Sequence, residues 1–217
     1  MSSSSNPDGS QYGRLAYWDQ RYTDDKEPFE WYTNYNSIRS NCHSHFRPNG
    51  KILNVGCGNS LVSEDMHFDG FNDIVNVDLS GVVIQQMIDK TQALNGLTWQ
   101  VMDARYMEFD DESFDAILDK GMIDTLLSGD NSIESAQKFS SHVARILKPG
   151  GIYMCLSSGI PNERLPMLNN QDYSWDVECV PIAKPVISEV EVKFNLEEDT
   201  SCYWLYICKT GGDDEEG

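Results

Sequence analysis

Two glycines and an aspartate have the spacing of a nucleotide-binding site. Gly56 and Gly58 follow the apolar run 52–55, and Asp78 ends the next apolar run, about 20 residues beyond the glycines. Glycine accepts positive φ angles and lets backbone amides come close to a ligand. An aspartate at the end of the second strand can accept hydrogen bonds from ribose hydroxyls. The pattern therefore indicates a cofactor that contains a nucleoside, whereas the glycines alone would also suit an ordinary turn.

Two later apolar segments also end in charged residues. The segment 97–102 leads into Asp103, and the segment 114–118 leads into Asp119 and Lys120. In open α/β sheets, ligands bind beyond the carboxyl ends of the strands. Any one of these charges could simply face water at a strand end. Together with the glycine turn and Asp78, however, four successive strand ends favour a shared site. We expect Asp103 to lie beside an adenine.

Residue 61 distinguishes two classes of cofactor. Dinucleotide-binding domains prefer Gly-x-Gly-x-x-Gly, in which the third glycine lets the helix pack closely beside the pyrophosphate. The third position here is Leu61. S-adenosylmethionine contains ribose and adenine but no pyrophosphate, so it fits this pattern better than NAD does. An NAD-dependent oxidoreductase stays as the weaker alternative.

The elements that carry these residues alternate between strand and helix. Between the strand-like runs, the patterns predict helices over 61–68, 81–93, 122–127 and 132–147. This alternation predicts a parallel sheet. The last third instead predicts strands without long helices between them, at 173–180, 186–194 and 203–209. We therefore predict an α/β, Rossmann-like fold with a mostly parallel seven-stranded sheet and an antiparallel C-terminal hairpin.

An aromatic segment precedes the sheet. Trp18 and Tyr22 share one face of a helix predicted over 14–22, and a second helix is predicted over 35–46. Large aromatic residues often belong to a hydrophobic core, but these come directly before the glycine turn. We predict that residues 12–50 form aromatic N-terminal cap helices.

Length and composition favour a single folded domain. The chain has 217 residues and a mass of 24.6 kDa, enough for one hydrophobic core but short for two. The polar N-terminus 1–11 and the acidic tail 211–217 are predicted to be disordered, which leaves a domain over 12–210. Within it, the proline-containing segment 158–172 is predicted as a loop, either a lid that contacts substrate or a plain connector.

Charge and cysteine content restrict the partners. The formal net charge of −19 opposes binding to nucleic acid and suits a basic protein substrate, although it is equally typical of an acidic protein without one. The sequence has no apolar run of the ~18 residues that a membrane span needs, so we expect no membrane partner. The six cysteines lack the paired Cys/His spacing of a metal site, which indicates free thiols and no metal. These features predict a cytoplasmic protein.

Several of these motifs resemble those of a known family. The class I S-adenosylmethionine-dependent methyltransferases are similar at residues 55–60, 78, 102–103, 114–115, 119–121 and 147–151. More specific similarity, to the eukaryotic elongation factor 1-alpha lysine methyltransferase group, lies at residues 17–22, 29–32 and 119–121. The resemblance covers roughly residues 12–210. It implies a class I methyltransferase fold and S-adenosylmethionine as cofactor, with S-adenosylhomocysteine as product.

The resemblance also implies roles for individual residues. The implied cofactor-binding residues are Trp18, Tyr22, Trp31, Gly56, Asp78, Leu79, Asp103, Ala104 and Lys120. The three aromatic residues are expected to close over the cofactor. The two acids and the residues that follow them are expected to contact ribose and adenine. Gly56 and Lys120 are expected at the methionine end.

The implied reaction is protein-lysine N-methylation, with elongation factor 1-alpha as the expected basic substrate. In-line methyl transfer requires the acceptor lone pair to point at the methyl carbon, and a lysine must first lose a proton. Asp119 and Asp124 follow the fourth strand and are our candidate catalytic residues, because either could hold or orient the lysine. The alternatives are a small-molecule methyltransferase of the same fold and a non-catalytic S-adenosylmethionine-binding protein.

Overall fold

Strands and helices alternate along the chain, as the sequence predicts. The computed structural model of the protein describes residues 10–185 and 201–212. The strands are β1 (Ile52–Val55), β2 (Ile74–Asp78), β3 (Leu97–Val101), β4 (Phe114–Lys120), β5 (Leu147–Ser157), β6 (Trp175–Ala183) and β7 (Cys202–Thr210). The α-helices are α1 (Leu15–Asp24), α2 (Arg39–His45), α3 (Val62–Phe68), α4 (Gly81–Thr91), α5 (Met122–Ser128), α6 (Ser132–Ile146) and α7 (Pro161–Leu168). Short 3-10 helices lie at Ser10–Gly13, Tyr35–Ser37, Ala104–Tyr106 and Gln171–Tyr173.

The seven strands form a sheet in the order β3-β2-β1-β4-β5-β7-β6. Strands β1 to β5 run parallel, and β7 runs antiparallel to both β5 and β6, which confirms the predicted fold class. The strand order reverses between β1 and β4, and ligands of open α/β sheets bind at such a switch point. Val55 pairs with both Val77 and Asp119. The glycine turn, Asp78 and Lys120 therefore leave the sheet side by side.

The sheet divides the apolar core into two layers. All four residues of β1 are buried, as expected for a central parallel strand that is covered on both faces. Leu53 packs in the same cluster as Phe139 of α6, whereas Ile52 packs in the cluster that contains Met66 of α3. Within the described ranges, no helix combines the length and the apolar character needed to cross a membrane.

Two of the predicted helix boundaries differ from the structure for a reason that can be seen in the neighbouring elements. The helix predicted over 132–147 ends at Ile146, because the chain enters β5 at Leu147. Leu147 pairs with Phe114, and the pairing then shifts register before it resumes at Ile152, so a β-bulge accommodates the Pro-Gly-Gly sequence inside the strand. The helix predicted over 35–46 begins as a 3-10 turn and becomes α-helical only in α2.

The loop predicted over 158–172 is also wrong, because α7 lies within it. Pro161 occupies the first turn of α7, where the missing backbone N–H would have no helical partner. Prolines therefore suggested a loop where one of them begins a helix.

Other predictions concern the C-terminal strands and the chain ends. The strand predicted at 173–180 starts at Trp175, after a 3-10 turn, and extends to Ala183. The strand predicted at 186–194 lies outside the described residues. Most of the ends predicted to be disordered, 1–11 and 211–217, also lie outside the described residues. The disorder there therefore stays a prediction.

Candidate functional site

The turn after β1 is shaped by its two glycines. Gly56 has a φ of 64° and Gly58 has a φ of 52°, in the left-handed region that side chains disfavour. A Cβ atom on Gly56 would lie 2.7 Å from Met122 Sδ, and one on Gly58 would lie 2.8 Å from Tyr22 Oη. Both the backbone conformation and the contacts with α5 and α1 therefore require glycine.

Asp78 joins this turn to the start of α4. Its Oδ2 accepts a hydrogen bond from Gly58 N, and its Oδ1 accepts one from Ser80 N, both at 2.9 Å. Burial raises the pKa of Asp78, although the backbone hydrogen bonds act in the opposite direction. An ionised carboxylate has about four acceptor sites, so Asp78 can also accept from the hydroxyl groups of a ligand.

The carboxylate of Asp103 is held by its near neighbour Arg105. Arg105 Nη2 donates to Asp103 Oδ2 at 2.6 Å, and Arg105 N donates to Asp103 Oδ1 at 2.9 Å. Burial alone would raise the pKa of Asp103, but the bonds from Arg105 outweigh it and lower that pKa. Asp103 is therefore a fixed anion, and the buried Ala104 follows it at the cavity wall.

Aromatic rings from the N-terminal segment cover this edge of the sheet. Trp18 stacks on Tyr22 with 5.9 Å between ring centroids, and its ring lies edge-on to Trp31 at 6.2 Å. Trp18 Nε1 donates to the carbonyl oxygen of Tyr12 at 2.7 Å. Because α1 and residue 31 bring these rings together, the segment forms a lid of apolar surface in which the indole nitrogen of Trp18 is hydrogen-bonded.

Glu30 ties this aromatic segment to the sheet. Lys120 Nζ lies 2.9 Å from Glu30 Oε2 and donates to the carbonyl oxygen of Trp31 at 3.0 Å. Ser60 Oγ and Leu61 N each donate to the Glu30 carboxylate at 2.7 Å. The Lys120 side chain is only 7% exposed. Burial lowers the pKa of Lys120, and the negative charge of Glu30 partly restores it.

Asp119 lies beneath the site rather than in it. Its side chain is fully buried, and it accepts hydrogen bonds from Met122 N at 2.6 Å, Ile123 N at 3.2 Å and Tyr153 Oη at 2.9 Å. Burial raises the pKa of Asp119 to about 7. The carboxylate thus supports the start of α5 and does not reach the cavity.

Asp124, on α5, faces the cavity and gathers polar groups from three segments. Its carboxylate accepts hydrogen bonds from Tyr32 Oη at 2.6 Å and Ser157 Oγ at 2.6 Å. Arg164 Nη2 of α7 lies 2.8 Å from Asp124 Oδ1. The segment predicted as a lid or substrate contact therefore reaches the site through one arginine.

These groups surround one cavity of about 400 Å³, within the range of small-molecule sites. It is lined by all nine predicted cofactor-binding residues and by Asp124, whereas Asp119 is not part of the lining. Aromatic rings on one side and acceptors for hydroxyl groups on the other suit the amphipathic chemistry of an adenosine with an amino-acid tail. Among the described residues, no group of three or more His, Cys, Asp or Glu side chains is arranged to hold a metal ion.

Four polar residues of the site were missed from sequence: Arg21, Glu30, Tyr32 and Arg164. Arg21 lies within the aromatic segment 17–22, and Glu30 and Tyr32 lie within 29–32. Their position inside these motifs was the signal that could have identified them as site residues. Arg164 carried no such signal. It reaches Asp124 only because α7 folds back over the end of β5.

Comparison with known proteins identifies the family. A model of the methyltransferase domain family matches residues 53–155. The mouse protein named EEF1A lysine methyltransferase 4 is 33% identical over 177 residues, which are 77% of this chain and 69% of the mouse protein. The chain belongs to the eEF1A lysine methyltransferase family. It is therefore an S-adenosylmethionine-dependent methyltransferase, which confirms the prediction of this cofactor in preference to NAD.

Two further comparisons agree with this family. The human eEF1A lysine and N-terminal methyltransferase is 32% identical over 193 residues, which are 86% of this chain but 28% of the human protein. The structure of Haemonchus contortus phosphoethanolamine N-methyltransferase 1 with phosphoethanolamine and S-adenosylhomocysteine superposes with a TM-score of 0.64 at 12% identity. This alignment covers 96% of the methyltransferase chain described here and 50% of the other, and it supports the fold alone.

Proposed function

We propose that this methyltransferase transfers the methyl group of S-adenosylmethionine to a lysine side chain of eukaryotic elongation factor 1-alpha. The observation that carries the proposal is the similarity to the mouse and human enzymes, whose names state this activity. The site supports it through the hydroxyl of Tyr32 at one end of the cavity, which suits an amine acceptor and is held by the acidic Asp124.

S-adenosylmethionine supplies a methyl group bound to a positively charged sulfur. Trp18, Tyr22 and Trp31 cover the cavity in which it binds, and a cation over an aromatic face gains about 0.5 to 2 kcal/mol. Asp78 and Leu79 would hold the ribose hydroxyls. Because Arg105 already occupies the Asp103 carboxylate, the backbone beside Ala104, rather than a free acid, would hold the adenine.

The amino-acid carboxylate of the cofactor needs a cation at the methionine end. Lys120 is already neutralised by Glu30. Arg21 also lines the cavity, and its guanidinium carbon lies 4.5 Å from the ring centroid of Phe29, which in turn contacts Trp31. Over the described ranges, no carboxylate forms an ion pair with Arg21 or with Arg14, the other unpaired arginine of the lining, but only Arg21 packs against the aromatic lid through Phe29. We therefore assign Arg21 to the cofactor carboxylate.

The protein contributes to the reaction mainly by positioning. The acceptor amine loses a proton to solvent before it attacks, and a water-poor site favours the neutral amine. Its lone pair then forms the N–C bond, while the electron pair of the S–C bond stays on sulfur. Asp119 acts as a positioning residue, because it supports the first turn of α5, the helix that carries Asp124.

The charge of the enzyme suits a basic substrate. The formal net charge of −19 would attract a lysine-rich surface by long-range steering. A translation elongation factor as substrate also implies that the enzyme acts in the cytoplasm. The same charge disfavours nucleic acid as acceptor.

The test is transfer of labelled methyl groups to purified elongation factor 1-alpha and to a desalted eukaryotic lysate, followed by peptide mass spectrometry. Asp78→Ala removes a cavity carboxylate, and Asp110→Ala, at an exposed position outside the cavity lining, is the matched control. Label on a lysine of the factor, absent with Asp78→Ala and retained with Asp110→Ala, is the expected result. Label only in small molecules would contradict the proposal, and so would S-adenosylhomocysteine binding without any transfer.

A further inference from the structure

Tyr32 is held in an unusual conformation at the acceptor end of the cavity. Its φ is 68°, in the left-handed region where a bulky residue is an outlier. Its ring lies 4.7 Å from that of Tyr203, and a Cβ atom on Gly121 would lie 3.1 Å from Tyr32 Cε2. Residues in such conformations persist only where their surroundings enforce them, and they are concentrated at functional sites.

Asp124 has little acceptor capacity left for a substrate. Its Oδ1 accepts from Ser157 Oγ at 2.6 Å and from Arg164 Nη2 at 2.8 Å. Its Oδ2 accepts from Tyr32 Oη at 2.6 Å and from Ser158 N at 2.9 Å. A carboxylate offers about four acceptor sites, and these donors occupy four. Asp124 therefore organises the neighbouring groups instead of binding the amine itself.

The oxygen of Tyr32 keeps one acceptor site open, because Ser158 Oγ, at 3.4 Å, can occupy only one of its two lone pairs. A tyrosine hydroxyl has one proton and two lone pairs, and the proton is directed to Asp124. Its hydrogen bond to a negative carboxylate increases the electron density on that oxygen. Burial and the charge of Asp124 raise the pKa of Tyr32, so the hydroxyl stays protonated and acts as a hydrogen-bonding group, not as a base.

We propose that Tyr32 Oη accepts a hydrogen bond from the N–H of the neutral acceptor amine and thereby aims the amine lone pair at the methyl carbon. The assignment rests on the proposed function, because it requires an amine acceptor. Asp124 and Arg164 are positioning residues in this arrangement, since they fix the direction in which the Tyr32 proton points. Tyr32 takes no proton, and the one released from the substrate ammonium goes to solvent.

The experiment compares two S-adenosylmethionine analogues in which nitrogen replaces sulfur. One carries an aminoalkyl arm in place of the methyl group, and the other carries an alkyl arm of equal length. Wild-type protein should bind the aminoalkyl analogue about tenfold more tightly. Tyr32→Phe should lose that preference, while Tyr203→Phe, the same change on the neighbouring ring outside the cavity lining, should keep it. The Kd for S-adenosylhomocysteine should change less than about twofold in both variants, which shows that the site is intact.

Each failure has a distinct result. If wild-type protein shows no preference for the amine arm, the proposed amine acceptor falls, and the role of Tyr32 falls with it. If Tyr32→Phe keeps the preference, the Tyr32 assignment is overturned and the proposed function stands. With the protein substrate, Tyr32→Phe should lower kcat about tenfold with little change in KM, and an equal loss in Tyr203→Phe would also overturn the assignment.

Discussion

Replacing Glu30 by glutamine should show how strongly the aromatic lid is anchored to the sheet. The substitution keeps the size of the side chain but leaves the ammonium of Lys120, 2.9 Å from the lost charge, without a counterion. Removing one partner of a buried ion pair typically destabilises a protein by about 3 to 5 kcal/mol. The Glu30 side chain is 22% exposed, and Lys120 keeps the carbonyl of Trp31, so we expect a loss near the lower value, about 3 kcal/mol.

The pH dependence of this loss can be derived from the same contact. Burial already lowers the pKa of Lys120, and loss of Glu30 lowers it further. Between that lowered pKa and the ordinary value, the unfolded state binds more protons than the folded state, so stability rises with pH. The deficit of Glu30→Gln relative to wild type should therefore shrink as the pH rises toward about 10.

Urea unfolding of a double-mutant cycle measures these quantities. Lys120→Met and the double variant Glu30→Gln/Lys120→Met complete the cycle, and the coupling energy should be about 2 kcal/mol. A Glu30→Gln loss below about 1 kcal/mol would place the pair among exposed ion pairs and refute the reasoning. Because Glu30 also accepts from Ser60 and Leu61, calorimetry should show weaker S-adenosylhomocysteine binding in parallel.

Three further predictions address the turn, the cofactor carboxylate and the buried acid. Gly58→Ala should lower the free energy of unfolding by about 1 to 2 kcal/mol and weaken cofactor binding. The reasons are the positive φ of Gly58 and the added Cβ atom, which would lie 2.8 Å from Tyr22 Oη. Unchanged urea midpoints and calorimetric affinities would contradict this. Arg21→Gln should raise the Kd for S-adenosylmethionine about tenfold but hardly change that for its decarboxylated analogue; equal effects on both ligands would rule out the carboxylate contact. Since the pKa of Asp119 is raised to about 7, its stabilising contribution is full below its ordinary pKa and is lost as pH rises through 7. Asp119→Asn should therefore gain about 3 kcal/mol relative to wild type between about pH 5 and pH 8 in urea unfolding, and a constant difference would count against a raised pKa.

Much of the fold could be predicted because hydrophobic periodicity is a local property. Apolar runs separated by amphipathic helices indicated the parallel strands and their sequence order, and charged residues marked the strand ends. The errors occurred where a local signal has two structural solutions. Prolines can end a helix or occupy its first turn, so 158–172 was predicted as a loop although α7 lies there. Likewise, the helix predicted over 132–147 ends one residue early, because β5 begins at Leu147 and continues through the Pro-Gly-Gly sequence with a bulge.

The sequence by itself determined the cofactor class. Gly56, Gly58 and Asp78 have backbone and side-chain requirements that depend on residue type and on short spacing, so they can be recognised without coordinates. Leu61 then favoured S-adenosylmethionine, and the family comparison agrees.

Only the tertiary structure decided which of the remaining polar residues line the cavity and which residues they contact. Asp119 and Asp124 look alike in sequence, yet pairing with β1 and β5 buries the first, while α5 turns the second toward the cavity. Glu30 contacts Lys120, and Arg164 contacts Asp124. These partners are far apart in the sequence, so no local pattern predicts the contacts. Hydrogen bonds act over a few ångströms in space, so the sheet order and the packing of the lid determine which distant residues can form them.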